Sequence, residues 1–268
     1  MTGSDATRSS HGPATVRQDR DCHRGQRGIG LAITRALIGE GARVVAAARK
    51  DTKDLRDLGA VPVIADLTSP DGPALVAEAA AAAFGGLDIL VNNVGAVRPR
   101  TGGFASVTAP DWDATLAVNF LAAVHVTRLA LPLLTARGGG SIITIASVNA
   151  ALPDPLVIDY SAAKAALTNF SKALSKEVGP HGIRVNTISP GPVATDLWLG
   201  SRGVAETVAG AAGSTPDAVA AAAVADTATR RFTQPGEVAD LVLFLASPRA
   251  GNITGADFAI DGGLKTTL

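Results

Sequence analysis

The chain is short of cysteine, of aromatic residues and of any surplus of charge, and each shortage excludes something. Cys22 is its one cysteine, so it can build neither an internal disulfide framework nor a cysteine-rich metal site. Its 24 basic residues balance 24 acidic ones, which removes the electrostatic case for nucleic acid or an anionic membrane as partner. No uninterrupted apolar run approaches the length of a membrane span, roughly 18 residues. The polar N-terminus lacks the apolar core of a secretion signal, and a soluble cytoplasmic protein is the expectation. Aromatics make up 4% of a chain that is 47% hydrophobic. Its core must therefore be packed with Ala, Val, Leu and Ile, as when helices cover a buried sheet. A length of 268 residues suffices for one large domain with a full core.

Residues 1–27 are polar and show no period. Gly28-Ile29-Gly30 then opens an amphipathic helix that Gly39 and Gly41 close, and Arg43 to Ala48 reads as a strand. Further strands are expected at 61–65 ending in Asp66, at 87–91 ending in Asn92-Asn93-Val94-Gly95, at 141–147, at 183–189 and at 256–260. Helices are expected over 73–84, 111–135, the segment ending near Gly179 and Gly182, and 236–246. Residues 196–232 carry only weak helical signals. Strands alternating with helices this regularly predict an α/β fold with a Rossmann-like, doubly wound parallel sheet. Asp66, Asn93, Ser147 and Pro190 fall just beyond strand C-termini, where such sheets place their ligands.

Chemistry is concentrated between Ser147 and Lys164, in S-V-N-A-A-L-P-D-P-L-V-I-D-Y-S-A-A-K. Tyr160 and Lys164 lie in an alanine-rich segment with high helix propensity, where a spacing of four puts both on one face. An ammonium one turn from a phenol should lower the tyrosine's pKa from about 10 and make it a usable acid or base. Tyr and Lys at this spacing are common by chance, so the pair alone carries little. Glycines at the start of the first helix would let its free N–H groups hold a pyrophosphate.

In order, G-I-G, D-L-T, N-N-V-G, Asn119, Ser147, Y-S-A-A-K, P-G-P-V-A-T and the closing T-G-A-D-F-A-I-D-G-G resemble the classical short-chain dehydrogenase/reductase family. The resemblance runs from about residue 27 to 263 and implies a role for each matching position. Tyr160 would be the acid that protonates a carbonyl oxygen as hydride arrives, or the base in the reverse direction. Lys164 would lower its pKa and bond the nicotinamide ribose, and Ser147 would hold the substrate oxygen. Asn119 would hold a water linking Lys164 to solvent. Asn93 and Gly95 would border the adenosine, Asp66 and Leu67 the adenine, and Pro190, Val193 and Thr195 the nicotinamide. Gly28, Ile29 and Gly30 would hold the pyrophosphate, and no metal is implied.

Enzymes that take the non-phosphorylated dinucleotide usually carry an acid at the end of the second strand. Ala48 stands there, followed by Arg49 and Lys50, and Arg27 precedes Gly28. Cations without a carboxylate favour a 2′-phosphate, hence NADP(H) over NAD(H).

The resemblance fails at the front. The family opens with an apolar strand ending in Thr-Gly, three residues before Gly-x-Gly. Here His23 and Arg24 occupy the Thr-Gly places, preceded by R-Q-D-R-D-C, and unpaired charges forbid a buried central strand there. Codons for Arg17 to Gln26 can be chosen so that the frame one base on reads G-K-T-A-I-V-T-G-G-S, the expected strand and turn. For Asp21, Cys22 and His23 every codon choice restricts that frame to Ile/Thr, Val/Ala and Thr/Ile. Residues 1–26 are therefore read as an aberrant segment, a frameshift product that replaces the first strand, and 27–268 as the catalytic domain with a lid at about 196–232. On this reading the sheet lacks its centre and the chain binds cofactor weakly.

Leu197, Trp198, Leu199 and Val204 in the lid, with Leu152, Pro153, Leu156 and Val157 after the serine, suggest a moderately apolar carbonyl or alcohol as substrate. The same residues could simply pack the lid on the core. The resemblance leaves open a carbonyl reductase, a steroid or sugar-alcohol dehydrogenase, and a catalytically silent binding or scaffold protein without a working pyrophosphate site. It also implies a homo-tetramer or homo-dimer built on the two long helices, whose small residues Ala117, Ala122, Ala123, Ala162, Ala163 and Ala166 suit close packing.

Overall fold

The computed structural model describes residues 14–16, 28–50 and 53–267. Its strands are β1 (Ala14–Val16), β2 (Val45–Ala48), β3 (Val61–Ile64), β4 (Ile89–Asn92), β5 (Gly140–Ile145), β6 (Ile183–Pro190) and β7 (Asp257–Ile260). They form one seven-stranded sheet in the order β3-β2-β1-β4-β5-β6-β7, and every pairing is parallel. All strand C-termini therefore lie along one edge. The order reverses between β1 and β4, which opens a crevice at that edge.

The helices are α1 (Ile29–Gly39), α2 (Lys53–Asp57), α3 (Gly72–Phe84), α4 (Ala109–Leu116), α5 (Ala122–Ala136) and α6 (Ile158–Val178), followed by α7 (Asp196–Leu199), α8 (Val204–Ala212), α9 (Pro216–Ala225) and α10 (Pro235–Ala246). They cover both faces, because side chains alternate along each strand. Val45, Ala47, Leu90 and Ile142 point to one face and pack against Val76 and Ala80 of α3, Val126 and Leu134 of α5, and Leu174 of α6. Ala46, Ala48, Val91 and Ile143 point to the other and meet Ile33 and Leu37 of α1 and Val238, Val242 and Leu245 of α10. Each fully buried Leu or Ile contributes about 1.5–3 kcal/mol relative to exposure. The segment 196–232, which carried weak signals, forms α7, α8 and α9.

The expectation that the sheet lacks its centre is corrected by β1. Ala14, Thr15 and Val16 pair with Val45, Ala46 and Ala47 on one side and with Leu90, Val91 and Asn92 on the other. A-T-V is an uncharged triplet with two β-branched residues, a composition that favours a strand. Residues 17–27, Arg27 and Cys22 among them, and the rest of the aberrant segment lie outside the described residues.

A single rod is formed by α4 and α5, joined through a π-helical turn at Ala117–Leu121. Its start is fixed by a reciprocal cap in which Asp111 N–H donates to the Thr108 hydroxyl and Thr108 N–H to the Asp111 carboxylate. By length and composition this rod, Ala109–Ala136, could cross a membrane. It buries Ala122, Ala123, Val126, Thr127, Ala130 and Leu134 against the sheet and α3, which is the placement of a core helix.

Candidate active site

Strand ends deliver the predicted residues to one edge. Arg49 follows β2, Asp66 and Leu67 follow β3, Asn93 and Gly95 follow β4, Ser147 follows β5, and Pro190 ends β6 with Val193 and Thr195 beyond it. Gly28 and Ile29 start α1, and Gly30 lies in its first turn, where the Thr34 hydroxyl donates to the Gly30 carbonyl at 2.9 Å. Among the described residues no side chain caps α1, and its first turn holds no acid, an arrangement that suits an external acceptor for its N-terminal N–H groups.

Four residues converge. Lys164 is 3% exposed, and its ammonium donates to the Ile145 carbonyl at 2.9 Å while standing 5.7 Å from the centre of the Tyr160 ring. Ser147 is buried just beyond β5, where its hydroxyl donates to Asn149 Oδ1 and accepts the Asn149 N–H, each at 3.2 Å, and it lies close enough to the Tyr160 hydroxyl to favour its ionisation. Asn119 is 1% exposed and sits in the π turn. Its amide donates to the carbonyls of Ala96 at 2.9 Å and Thr115 at 3.0 Å, and its oxygen accepts from Ala96 N–H at 3.0 Å. Gly95 closes the group, because a Cβ there would lie 3.1 Å from Asn119 Oδ1 and 3.4 Å from Lys164 Nζ. The extra residue of a π turn is a frequent mark of functional helices, and here it carries the side chain that holds the Gly95–Ala96 loop.

One expectation is corrected. The Tyr160 pKa is raised above its ordinary value, not lowered: burial pushes it up and the nearby Ser147 hydroxyl only opposes this. The physical reason is shared, because the same burial brings Lys164 down to about 8, and a partly neutral amine committed to a carbonyl gives a phenolate little support.

Other predicted residues sit at the edge in different ways. Leu67 and Val193 are 1% and 4% exposed and belong to the core, so only their backbone is available to a ligand. Pro190 is paired with Ile260 inside the sheet. The Asp66 carboxylate is exposed and accepts from Thr68 N–H at 2.9 Å and the Thr68 hydroxyl at 2.7 Å. Thr195 is buried, with its hydroxyl 3.3 Å from the Val193 carbonyl. Asn93, Gly95 and Arg49 are half-buried. Among the small residues expected to face a second subunit, Ala122, Ala123 and Ala163 are buried in this chain's own core, and Ala162 is exposed. No group of His, Cys, Asp or Glu among the described residues is placed to hold a metal ion.

A charged cluster beside the site escapes sequence reasoning. Asp159, immediately before Tyr160, is 1% exposed and is bonded by Arg100 and by the Thr115 hydroxyl. The only local hint is an acid inside the otherwise apolar P-L-V-I-D-Y.

The enzyme family follows from comparison. The enoyl-(acyl carrier protein) reductase family model matches residues 24–265. The chain belongs to the short-chain dehydrogenase/reductase family, which comprises NAD(P)-dependent oxidoreductases. Among its family relatives is human dehydrogenase/reductase SDR family member 4, 32% identical over 256 residues that cover 90% of this chain and 85% of that protein. Another is the acetoacetyl-CoA reductase of Cupriavidus necator, 33% identical over 251 residues covering 90% and 95%. The crystal structure of L-sorbose reductase from Gluconobacter frateurii, complexed with NADPH and L-sorbose, superposes with a TM-score of 0.84 at 32% identity over 96% of this chain and 98% of that one. The family match in sequence thus begins near residue 24, whereas the central strand of the family's sheet is formed upstream, at Ala14–Val16.

Proposed function

We propose that the chain is an NADP(H)-dependent enzyme that interconverts a carbonyl and an alcohol on a moderately apolar small molecule, with Tyr160 as general acid/base. The observation that carries this is the convergence of Ser147, Tyr160, Lys164 and Asn119 beside the crevice edge of a parallel sheet. The residues at that edge fit a dinucleotide. The uncapped, acid-free start of α1 suits a pyrophosphate held by Gly28, Ile29 and Gly30. Ala48 ends β2 where a carboxylate would repel a 2′-phosphate, and Arg49 and Lys50 follow it. Gly95 keeps the loop beside Lys164 and Asn119 free of a side chain. Asp66, Asn93, Thr195 and the backbone of Leu67, Pro190 and Val193 border the remainder.

Bound there, the cofactor supplies or takes the hydride. In reduction, the Tyr160 hydroxyl gives its proton to the substrate oxygen, and in oxidation the phenolate takes it back. Burial raises the Tyr160 pKa and so keeps it protonated at neutral pH, the state a proton donor needs. The Ser147 hydroxyl holds the same substrate oxygen in place. Lys164, titrating near 8, can return a proton towards Tyr160 at physiological pH. Leu152, Leu197 and Leu199 are 44%, 44% and 51% exposed next to the serine and the Thr195 loop, and they supply apolar contacts for the substrate. We further infer a cytoplasmic homo-tetramer or homo-dimer, with residues of about 196–232, α7 to α9 among them, acting as a lid.

Similarity to a sugar reductase favours a second reading, reduction of a ketose. NADPH and NADH titrations followed by a substrate panel of aryl ketones, 3-oxoacyl thioesters and ketoses test both. NADPH binding with turnover of the apolar ketones is expected; turnover of ketoses alone supports the second reading, and absence of cofactor binding overturns both.

A further inference from the structure

Tyr160 and Asn119 belong to different helices, and one arginine stands between the starts of those helices. Arg100 lies in the loop that runs on from Gly95. Its backbone N–H donates to the Leu156 carbonyl, one turn before Tyr160, at 2.6 Å. Its guanidinium donates to Asp159 through Nε at 3.1 Å and also through Nη2. The same group reaches Asp111, in the capped first turn of α4, through Nη1 at 3.0 Å. The Thr115 hydroxyl completes the bridge by donating to Asp159 Oδ2 at 2.7 Å.

This cluster is wired to both functional side chains. The other Asp159 oxygen accepts the Tyr160 backbone N–H at 3.0 Å, and the Thr115 carbonyl accepts the Asn119 amide at 3.0 Å. An unbroken chain of bonds thus runs from Tyr160 through Asp159 and Thr115 to Asn119, and Arg100 clamps its middle. The side chains of Arg100 and Asp159 are 11% and 2% exposed, so neither charge can be left alone without a large cost. A buried pair of this kind contributes little net stability compared with apolar packing, but it fixes geometry.

We propose that Arg100 is a positioning residue that sets the first turn of α6 against α4 and thereby holds Tyr160 in register with Ser147, Lys164 and Asn119. The proposal rests on Tyr160 being the acid/base, and its test reads that side chain directly. The chain has a single tyrosine, so isotope-labelled tyrosine gives one ring signal whose titration belongs to Tyr160 alone. The variants are Arg100→Met, Arg100→Lys, Thr115→Val and the double variant Arg100→Met with Asp159→Asn. Each is assayed for the tyrosine midpoint, NADPH affinity, and kcat and KM on the ketone that the wild type turns over.

Arg100→Met is expected to raise the tyrosine midpoint, because Tyr160 loses its fixed approach to Ser147. It should lower kcat by about tenfold to a hundredfold, with KM and NADPH affinity changed less than about threefold. Arg100→Lys should recover part of the loss. The double variant removes both charges yet keeps an acceptor for Tyr160 N–H. A positioning role leaves its midpoint raised, whereas a return to the wild-type midpoint would show a purely electrostatic effect and overturn the proposal. Unchanged midpoint and kcat in Arg100→Met would also overturn it. If that variant fails to fold, Thr115→Val, which removes one bond to Asp159, must shift the midpoint in the same direction. If the wild type turns over no ketone, the functional reading fails while the tyrosine titration still judges Arg100.

Discussion

Lys164 Nζ stands 5.7 Å from the centre of the Tyr160 ring and gives its hydrogen bond to the Ile145 carbonyl at 2.9 Å. The amine is fixed by the end of β5 before any ligand arrives, and the phenol beside it is one that burial keeps neutral. Several consequences can be measured.

Burial brings Lys164 down to about 8, against about 10.4 in an unfolded chain. A depressed folded pKa contributes stability that is present above the unfolded value and lost as pH falls through the folded one. The wild type should therefore gain stability relative to Lys164→Met between pH 8 and 10, by on the order of 3 kcal/mol. Urea unfolding of both proteins across that window is the measurement, and parallel profiles would contradict the burial of a charged amine.

Gly95→Ala would bring a methyl to 3.1 Å from Asn119 Oδ1 and 3.4 Å from Lys164 Nζ. The neighbours can yield by tenths of an ångström, so the stability cost should be about 1 kcal/mol. Turnover should fall by about tenfold or more, because both displaced groups belong to the site. Thermal unfolding and single-turnover rates on the same variant separate the two effects.

Gly72→Ala is the contrasting case. Its methyl would sit 1.8 Å from the Asp66 carbonyl oxygen, which is backbone and cannot move aside. A loss of about 2–4 kcal/mol is expected, read as a lower urea midpoint with an unchanged slope. Retention of wild-type stability would show that the loop from Asp66 into α3 is not held as described.

Asp111 is held down to about 2, chiefly by the Thr108 hydroxyl and N–H and then by Arg100. For Asp159, burial works upwards, but the Arg100 and Thr115 bonds outweigh it and leave the carboxyl below its ordinary value. Both depressed carboxylates contribute stability present above about pH 4 and lost as pH falls through their folded pKa, about 2 for Asp111. The thermal midpoint should fall steeply between about pH 4 and pH 2, and less steeply in Arg100→Met. Identical acid profiles would mean that Arg100 does not hold these carboxylates.

The parallel sheet is legible in the sequence because its strands end on small polar or glycine turns and its helices show an apolar stripe. The strand over 183–190 and the helix that carries Tyr160 are plain cases. The triplet Ala14–Val16 is too short to show a period, and its place was assigned to the charged run behind it. The lid helices α8 and α9 are mostly alanine, which favours a helix without marking a face, so their boundaries were hidden. The candidate site residues that converge, Asn119, Ser147, Tyr160 and Lys164, were legible as motifs, but their electrostatics were not. Spacing along a helix puts Lys164 near Tyr160, whereas the direction of both pKa shifts depends on burial by other elements. Arg100 and Asp159 lie 59 positions apart, and an ion pair at that distance leaves no local pattern.

The front of the chain gives its own prediction. Replacing Arg17 to Gln26 by G-K-T-A-I-V-T-G-G-S should tighten NADPH binding, because an apolar strand leading straight into the family's glycine turn would take the central place that Ala14–Val16 holds in this chain. Equal affinity in the two versions would contradict the frameshift reading, as would coding DNA whose bases cannot encode an apolar strand in another frame.

The central claim is that Tyr160 moves the proton while the cofactor moves the hydride. Single-turnover oxidation of NADPH by a ketone in wild type and Tyr160→Phe, with NADPH affinity measured alongside, tests it most directly. Tyr160→Phe should bind NADPH within about threefold of wild type and lose turnover by roughly a hundredfold to ten-thousandfold. A phenylalanine variant that binds NADPH and keeps most of its turnover would show that the proton comes from elsewhere.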